Sequence, residues 1–426
     1  MEIKRDYYLN KLINRMHNGL VKIITGVRRC GKSYLMNNIF YDYLLSLGIK
    51  EDHIIRFAFD SSEDLAKIDD ECVEGLIKGE KLDSIKFVKY INNKLVDEDM
   101  YYLLLDEIQL LDGFEAVLNS YLRKRNMDVY VSGSNAKFLS KDIITEFAGR
   151  GDEIHMSTLS FSEFMSVYEG DKQDGFNEYL VYGGIPMVVL RKDRRDREAL
   201  LNNLFQEIYI KDIVKRNKIK NVADLEDLLN IISSATGSLT NPEKLKNTFH
   251  SKKNSDISSD TIRRYISHLE DAFLIESAHR YDVKGKNYIG TPLKYYFTDL
   301  GLRNSRIGFR QIEETHLMEN IIFNELKRRG MQVDVGVVTT NENNKRKQLE
   351  VDFVCNEGSK RYYIQSAYAI ADEEKKKQES ASLLNINDSF KKIIIVKDGY
   401  SGLYTQNGIL ILNIFDFLLN PDSIFS

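Results

Sequence analysis

Proline is scarce, with four in 426 residues (Pro186, Pro242, Pro292, Pro421), which excludes Pro-rich linkers between folded parts. The three cysteines, Cys30, Cys72 and Cys355, are odd in number and far apart. They fit a reducing compartment and exclude a metal cage built of cysteine alone. No apolar run reaches the length of about 18 residues that a membrane-spanning helix needs. The first residues, Met1 to Asp6, are charged and no apolar core follows them, so no signal peptide is expected and the cytoplasm is the expected location. Charge of one sign is missing as well. The chain has 60 Lys and Arg against 64 Asp and Glu, a net charge of −4, which neither demands nor excludes a nucleic-acid partner. No fixed-period repeat or low-complexity tract is visible. What remains is an ordinary globular composition, 42% hydrophobic and 29% charged, long enough for two to four domains at roughly 100–200 residues each.

The pattern separates three blocks: residues 1–189, 190–310 and 311–426. The first alternates short β-rich runs with helical stretches, as a parallel α/β sheet does. Strands are expected over Val21–Thr25, Ile54–Phe59, Tyr101–Leu105, Asp128–Ser132 and Glu153–Ser157. The second block is mostly helical. It opens on the charged stretch Arg191–Arg197 and carries a helix–turn–helix-like segment from Leu245 to Ile275. Ser258 and Asp260 supply N-cap chemistry there, and Ile262, Ile266, Leu269 and Phe273 recur at helical spacing. The runs Ser277–Val283 and Tyr295–Thr298 would form its wing. The third block reads helix (Leu317–Arg329), three strands (Gln332–Val338, Leu349–Val354, Arg361–Tyr368), helix (Asp372–Leu384) and strand (Lys392–Val396).

Gly26-Val-Arg-Arg-Cys-Gly31-Lys32-Ser33 matches G-x-x-x-x-G-K-[ST] between an expected strand and an expected helix, Lys32–Tyr43. Gly26 and Gly31 let the backbone wrap a phosphate chain. Loop N–H groups from Arg28, Arg29 and Cys30 onward, and those of the helix start through Tyr34, would face the anion. Lys32 would reach the β- and γ-phosphates, and the Ser33 hydroxyl would ligate Mg²⁺. The apolar run Tyr101–Leu105 ends in Asp106 and Glu107. Asp106 would hold Mg²⁺, and Glu107 would orient or deprotonate the attacking water. The next strand tip offers Ser134 and Asn135 as sensors of the γ-phosphate, or as ordinary turn residues. Arg150 would stabilise transition-state charge, in cis or on a neighbouring subunit's nucleotide, or make a surface salt bridge. ATP and Mg²⁺ are therefore the expected cofactors.

These motifs resemble those of a large prokaryotic family of AAA-type ATPases with a C-terminal region of unknown function. The likeness runs through Leu105–Gln109, Val131–Asn135, Phe147–Arg150, Leu159–Phe164, Tyr182–Pro186, Tyr209–Ile213, Tyr295–Leu302 and Leu349–Phe353, nearly the whole chain. The resemblance implies an AAA-like P-loop sheet, then a helical and winged-helix module, then an α/β fold like that of restriction endonucleases. Active nucleases of that type hold Mg²⁺ with an Asp and a strand Glu, and a Lys follows two residues later. Here Glu319 lies on the first helix and Asp352 ends a strand, but Gln365 stands for the carboxylate and Ala367 for the lysine. Gln offers only a neutral oxygen to a metal that prefers charged ones. A degenerate nuclease site is expected, unless Lys375, Lys376 or Lys377 replaces the missing cation.

Arg263, Arg264 and His268 share a helix that would fit a major groove. Residues 221–310 hold 13 Lys and Arg against 11 Asp and Glu, a weaker basic footprint than a dedicated DNA binder shows. The leading expectation is an Mg²⁺-dependent ATPase whose nucleotide state repositions the later modules, with DNA, a protein partner or self-association as candidate partners and no membrane. The alternatives are a nucleotide-gated binding switch with negligible turnover and an ATP-regulated nuclease.

Overall fold

The computed structural model describes residues 3–133, 149–253, 257–310, 312–342, 345–369, 373–399 and 402–425. The chain divides into two compact units, Glu2–Thr158 with Asp271–Phe273, and Leu159–Glu270 with Leu274–Ser426. No helix among the described residues is long and apolar enough to cross a membrane.

The N-terminal unit is built on a five-stranded sheet of β1 (Val21–Thr25), β2 (Ile54–Ala58), β3 (Tyr101–Asp106), β4 (Met127–Ser132) and β5 (Gly151–His155). Its order is β2-β3-β4-β1-β5, and every neighbouring pair is parallel. β1, β3 and β4 are buried along their whole length. That is why β3 reads as an unbroken apolar run: helices cover both faces, so no position can be polar without a partner. Phe57, Phe59 and Phe87 close one layer, their rings 4.9–5.2 Å apart. The one buried cation within the sheet, Lys22, is matched by Asp128 on β4, which also accepts a hydrogen bond from Tyr130 (2.7 Å). The helix after β1 is continuous from Lys32 to Ser46 but underwound to π geometry between Leu35 and Phe40, a local irregularity often found at functional sites.

The C-terminal unit joins a set of helices to an eight-stranded mixed sheet ordered β12-β13-β11-β10-β9-β8-β6-β7. The strands are β6 (Ile275–Asp282), β7 (Asn287–Phe297), β8 (Gln332–Glu342), β9 (Lys345–Glu357), β10 (Lys360–Ala369), β11 (Lys391–Asp398), β12 (Leu403–Tyr404) and β13 (Leu410–Asn413). The hairpin expected as a wing is the edge of this sheet, because β6 pairs in parallel with β8, Arg280 opposite Val335. The helix Glu314–Arg328 is fixed against β7 by Asn320. Its carboxamide accepts from the Phe297 N–H (3.0 Å) and donates to the Phe297 carbonyl (2.8 Å), so a side chain completes a strand edge.

Two sequence motifs prove to be packing devices. Asp299 caps the helix Leu300–Arg306 through the Leu302 N–H (3.2 Å) and also accepts from the Gly184 N–H (2.8 Å). A Cβ at Gly183 would lie 2.3 Å from the Asp299 carboxylate, and one at Gly301 would lie 2.1 Å from the Tyr182 carbonyl oxygen. Both glycines are needed for close backbone approach.

Candidate nucleotide site and acidic cleft

The phosphate loop leaves the C-terminal end of β1, the end of a parallel sheet where ligands bind. Gly26 has φ 136° and Gly31 φ 103°, conformations that side chains other than hydrogen rarely allow. At Gly26 an added Cβ would also lie 2.0 Å from the Met156 carbonyl oxygen. The buried Arg5 steadies the loop from below, donating to the Cys30 carbonyl (3.1 Å) and the Ser157 carbonyl (2.7 Å). Lys32 is buried, and its ammonium donates to the carbonyls of Gly26 (2.9 Å) and Val27 (3.1 Å). Ser33, Tyr34 and Arg29 are exposed, Arg28 is half-buried and Cys30 is buried as a free thiol.

The neighbouring strand tips complete the site. Asp106 is buried at the end of β3 and accepts a hydrogen bond from the Ser132 hydroxyl at the end of β4. The same hydroxyl accepts from the Glu107 N–H (3.3 Å), so one side chain holds both acidic positions. Glu107 has φ 52°, a strained value for a residue with a side chain, and its carboxylate is held by the Gln109 amide. Burial, and after it the charge of Asp106, push its carboxyl above the ordinary value. Asp60 stands just past β2, whose end pairs with Asp106. Desolvation and the charge of Asp106 push its carboxyl up too, while Arg28 and Arg29 pull it down.

Three residues here escaped the sequence reading: Arg5, Ser132 and Asp60. Ser132 and Asp60 are visible only once the strand order is known, and Arg5 lies in the helical lead-in that no motif marks. Ser134 and Asn135 lie outside the described residues. Arg150 is brought to the wrong place for a cis role. Its carbonyl accepts from the N–H of Val21 (2.9 Å), the first residue of β1, and its guanidinium donates to Asn119 (2.9 Å). The five residues of β1 separate it from the phosphate loop by roughly 16 Å at about 3.3 Å per residue.

The donor set suits a Mg²⁺-bound triphosphate: an ammonium already inside the loop, N–H groups at a helix start, a hydroxyl at Ser33, and a buried carboxylate at Asp106.

A second cluster lies in the C-terminal unit. Glu319 and Asp352 line a cleft of about 440 Å³ with His316, Gln365, Ala367 and Glu379. Asp352 accepts from the Ser366 N–H (2.8 Å), and Gln365 accepts from the Asp352 N–H and the Ser382 hydroxyl, both at 3.4 Å. The sequence reading named Glu319, Asp352 and Gln365, which line this cleft together. It missed Lys294 on β7, which reaches Glu319 (2.8 Å), Glu350 (2.7 Å) and Asp352 (3.7 Å). Lys377 is exposed, and the side chains of Lys375 and Lys376 lie outside the described residues. On the helix Ser259–Asp271, Arg263 and Arg264 are exposed, and Arg263 is paired with Asp260 (2.7 Å).

A glycine-flexed loop between a central parallel strand and a helix, with an acidic pair on the strand two places away, makes the N-terminal unit an AAA-type P-loop domain. Residues 18–165 match the AAA domain family, and residues 173–313 match a domain of unknown function. The chain belongs to the same family as an uncharacterised protein of Haemophilus influenzae, to which it is 34% identical over 98% of both chains. It is 27% identical to an uncharacterised protein of Methanocaldococcus jannaschii, over 91% of this chain and 82% of that one. Among solved structures, the Aeropyrum pernix ORC1 protein in complex with DNA is 12% identical over 72% of this chain and 93% of that one, with a TM-score of 0.29. A likeness that loose says nothing of what this chain binds.

Proposed function

We propose that the N-terminal unit binds ATP with Mg²⁺ and hydrolyses it. The observation that carries this reading is the arrangement of Lys32 inside the loop with Asp106 and Glu107 joined through Ser132 at the adjacent strand tips. Lys32 would exchange its carbonyl partners for β- and γ-phosphate oxygens, since a charged acceptor makes the stronger hydrogen bond. Ser33 and Asp106 would hold Mg²⁺, which neutralises charge on the transferring phosphoryl group. Glu107 is the base or orienting group for water. Asp60, with Arg28 and Arg29, shapes the charge at the open side of the site. Arg150 would act on the nucleotide of a neighbouring copy, a reading supported by its backbone pairing with Val21 at the start of β1. The nucleotide state would act on the helical and sheet modules that follow, with DNA at Arg263, Arg264 and His268 as a candidate partner.

Steady-state phosphate release with Mg²⁺ tests the reading. The Lys32→Ala variant should lose ATP binding and turnover together. Turnover equal to that of the parent would place the active site elsewhere.

The contact between Gln109 and Glu107 favours a second form of this reading, in which the glutamate is held by its neighbour until nucleotide binding releases it and turnover is slow. Gln109→Ala would then raise turnover without changing ATP affinity.

A further inference from the structure

The cleft of the C-terminal unit has the residues from which a divalent-cation site would be expected, Glu319 and Asp352, yet the geometry around them is that of an ion pair. The Lys294 side chain enters from β7, is buried to 3% exposure, and points its ammonium at three carboxylates. Glu319 is 9% exposed and Asp352 7%. Tyr296 adds a hydroxyl donor to Glu319 (2.6 Å), and the Ser366 N–H donates to Asp352. Lys294 and Tyr296 both donate to one Glu319 oxygen, and Lys294 also reaches a Glu350 oxygen. Among the described residues, the only three His, Cys, Asp or Glu side chains whose ligand atoms all lie within 4.8 Å of one another are His53, Asp97 and Asp99. Glu319, Glu350 and Asp352 are instead spread around the ammonium. A Mg²⁺ ion, with oxygens at about 2.1 Å and an octahedral demand, does not fit this set while Lys294 is there.

The geometry points to Lys294 as the resident cation of this cleft, an ammonium fixed among the carboxylates a divalent metal would use. Charge supports the assignment. Burial works against the ammonium, but Glu319, Asp352 and Glu350 outweigh it and raise its pKa, so it stays charged at any physiological pH. Burial, and next the charge of Glu319, hold the Asp352 carboxyl well above the usual range. With the ammonium fixed among them, these carboxylates have little charge left for Mg²⁺ or Mn²⁺. The cation is supplied by β7, at the edge of the sheet. The inference stands whether or not the N-terminal unit hydrolyses ATP.

The test uses the full nucleotide-free chain with Mn²⁺ as the probe, read by electron paramagnetic resonance of free Mn²⁺ and by thermal unfolding. The parent and its Glu319→Gln variant should bind Mn²⁺ equally, and Mn²⁺ should leave the parent's Tm unmoved relative to that variant. Lys294→Ala removes the ammonium and leaves room for an ion. It should have a lowered Tm, gain one bound Mn²⁺ per chain, and recover Tm when Mn²⁺ is added. The Lys294→Ala/Glu319→Gln double variant should lose both gains. A parent site for Mn²⁺ that Glu319→Gln abolishes would overturn the inference even if Lys294→Ala fails to fold. A folded Lys294→Ala protein that gains no Mn²⁺ would overturn it as well.

Discussion

Replacing Glu107 by Gln separates chemistry from binding more cleanly than any other change at the nucleotide site. The carboxamide keeps the shape and one oxygen, so the Gln109 amide retains an acceptor. What disappears is a negative charge that burial and Asp106 both disfavour. The exchange of a charge-assisted hydrogen bond for a neutral one costs about 1 kcal/mol, and relief of the buried like-charge pair works in the opposite direction. The variant should therefore be as stable as the parent or more so, a gain that commonly accompanies removal of a strained catalytic group. Turnover should fall by about 10²–10⁴, the usual contribution of a positioned base, equivalent to roughly 2.7–5.5 kcal/mol on the barrier. ATP affinity should be unchanged. The pH profile adds a second reading. A base works only when deprotonated, so parent activity is present above the folded pKa of Glu107 and lost as pH falls through it. Because that pKa is raised, the acid limb should lie above the ordinary glutamate value of about 4.3, and the variant should lack it. Coupled phosphate-release kinetics, nucleotide titration and thermal unfolding on one preparation measure all three quantities. Full turnover in the variant would show that Glu107 is not the base. Loss of ATP binding at unchanged stability would show that it is a binding group.

Gly26→Ala should weaken both the fold and the nucleotide site. Its φ of 136° and the 2.0 Å approach to the Met156 carbonyl cost at least about 1–3 kcal/mol, a fall of several degrees in the unfolding of the N-terminal unit; an unchanged Tm would mean the loop accommodates a side chain. His53 hydrogen-bonds Asp52 (2.6 Å) and Asp97 (3.0 Å) and stacks on Tyr101, and these carboxylates raise its pKa against the opposing effect of burial. That contribution to stability is complete below the unfolded histidine value of about 6.5 and is lost as pH rises through the higher folded value, so Tm measured across this window should fall in the parent and stay flatter in His53→Gln.

Legibility followed sequence distance. The phosphate loop, the five strands and the acidic pair were readable because each is a local pattern: a glycine spacing, an apolar run, a carboxylate at a strand end. Ser132 and Asp60 were not, because their meaning comes from β3 lying between β2 and β4, and strand order is set by crossovers rather than by any short segment. Arg150 shows the same limit from the other side. Its motif suggested a catalytic cation, but the residue immediately precedes β5, and in a parallel sheet the start of a strand is the end away from the loop. The β6–β7 hairpin was recognised as a pair of strands, yet period-two alternation does not name the next neighbour. Its edge pairing with β8 is what carries Lys294 into the acidic cleft.

Two of the buried lysines, Lys32 and Lys294, show how the same side chain can be available in one unit and committed in the other. Around Lys32 the acceptors are neutral backbone carbonyls at 2.9 and 3.1 Å, and a phosphate oxygen bearing charge outcompetes them. Around Lys294 the acceptors are carboxylates, the buried Glu319 at 2.8 Å and the half-buried Glu350 at 2.7 Å, and breaking the pair with Glu319 leaves buried charge uncompensated, which typically costs about 3–5 kcal/mol. An incoming polyphosphate would gain a partner at the first lysine and meet like charge at the second. Of these two lysines, Lys32 is thus the one whose partners an incoming anion would displace, and the acidic cleft would take ligands that leave its ammonium in place.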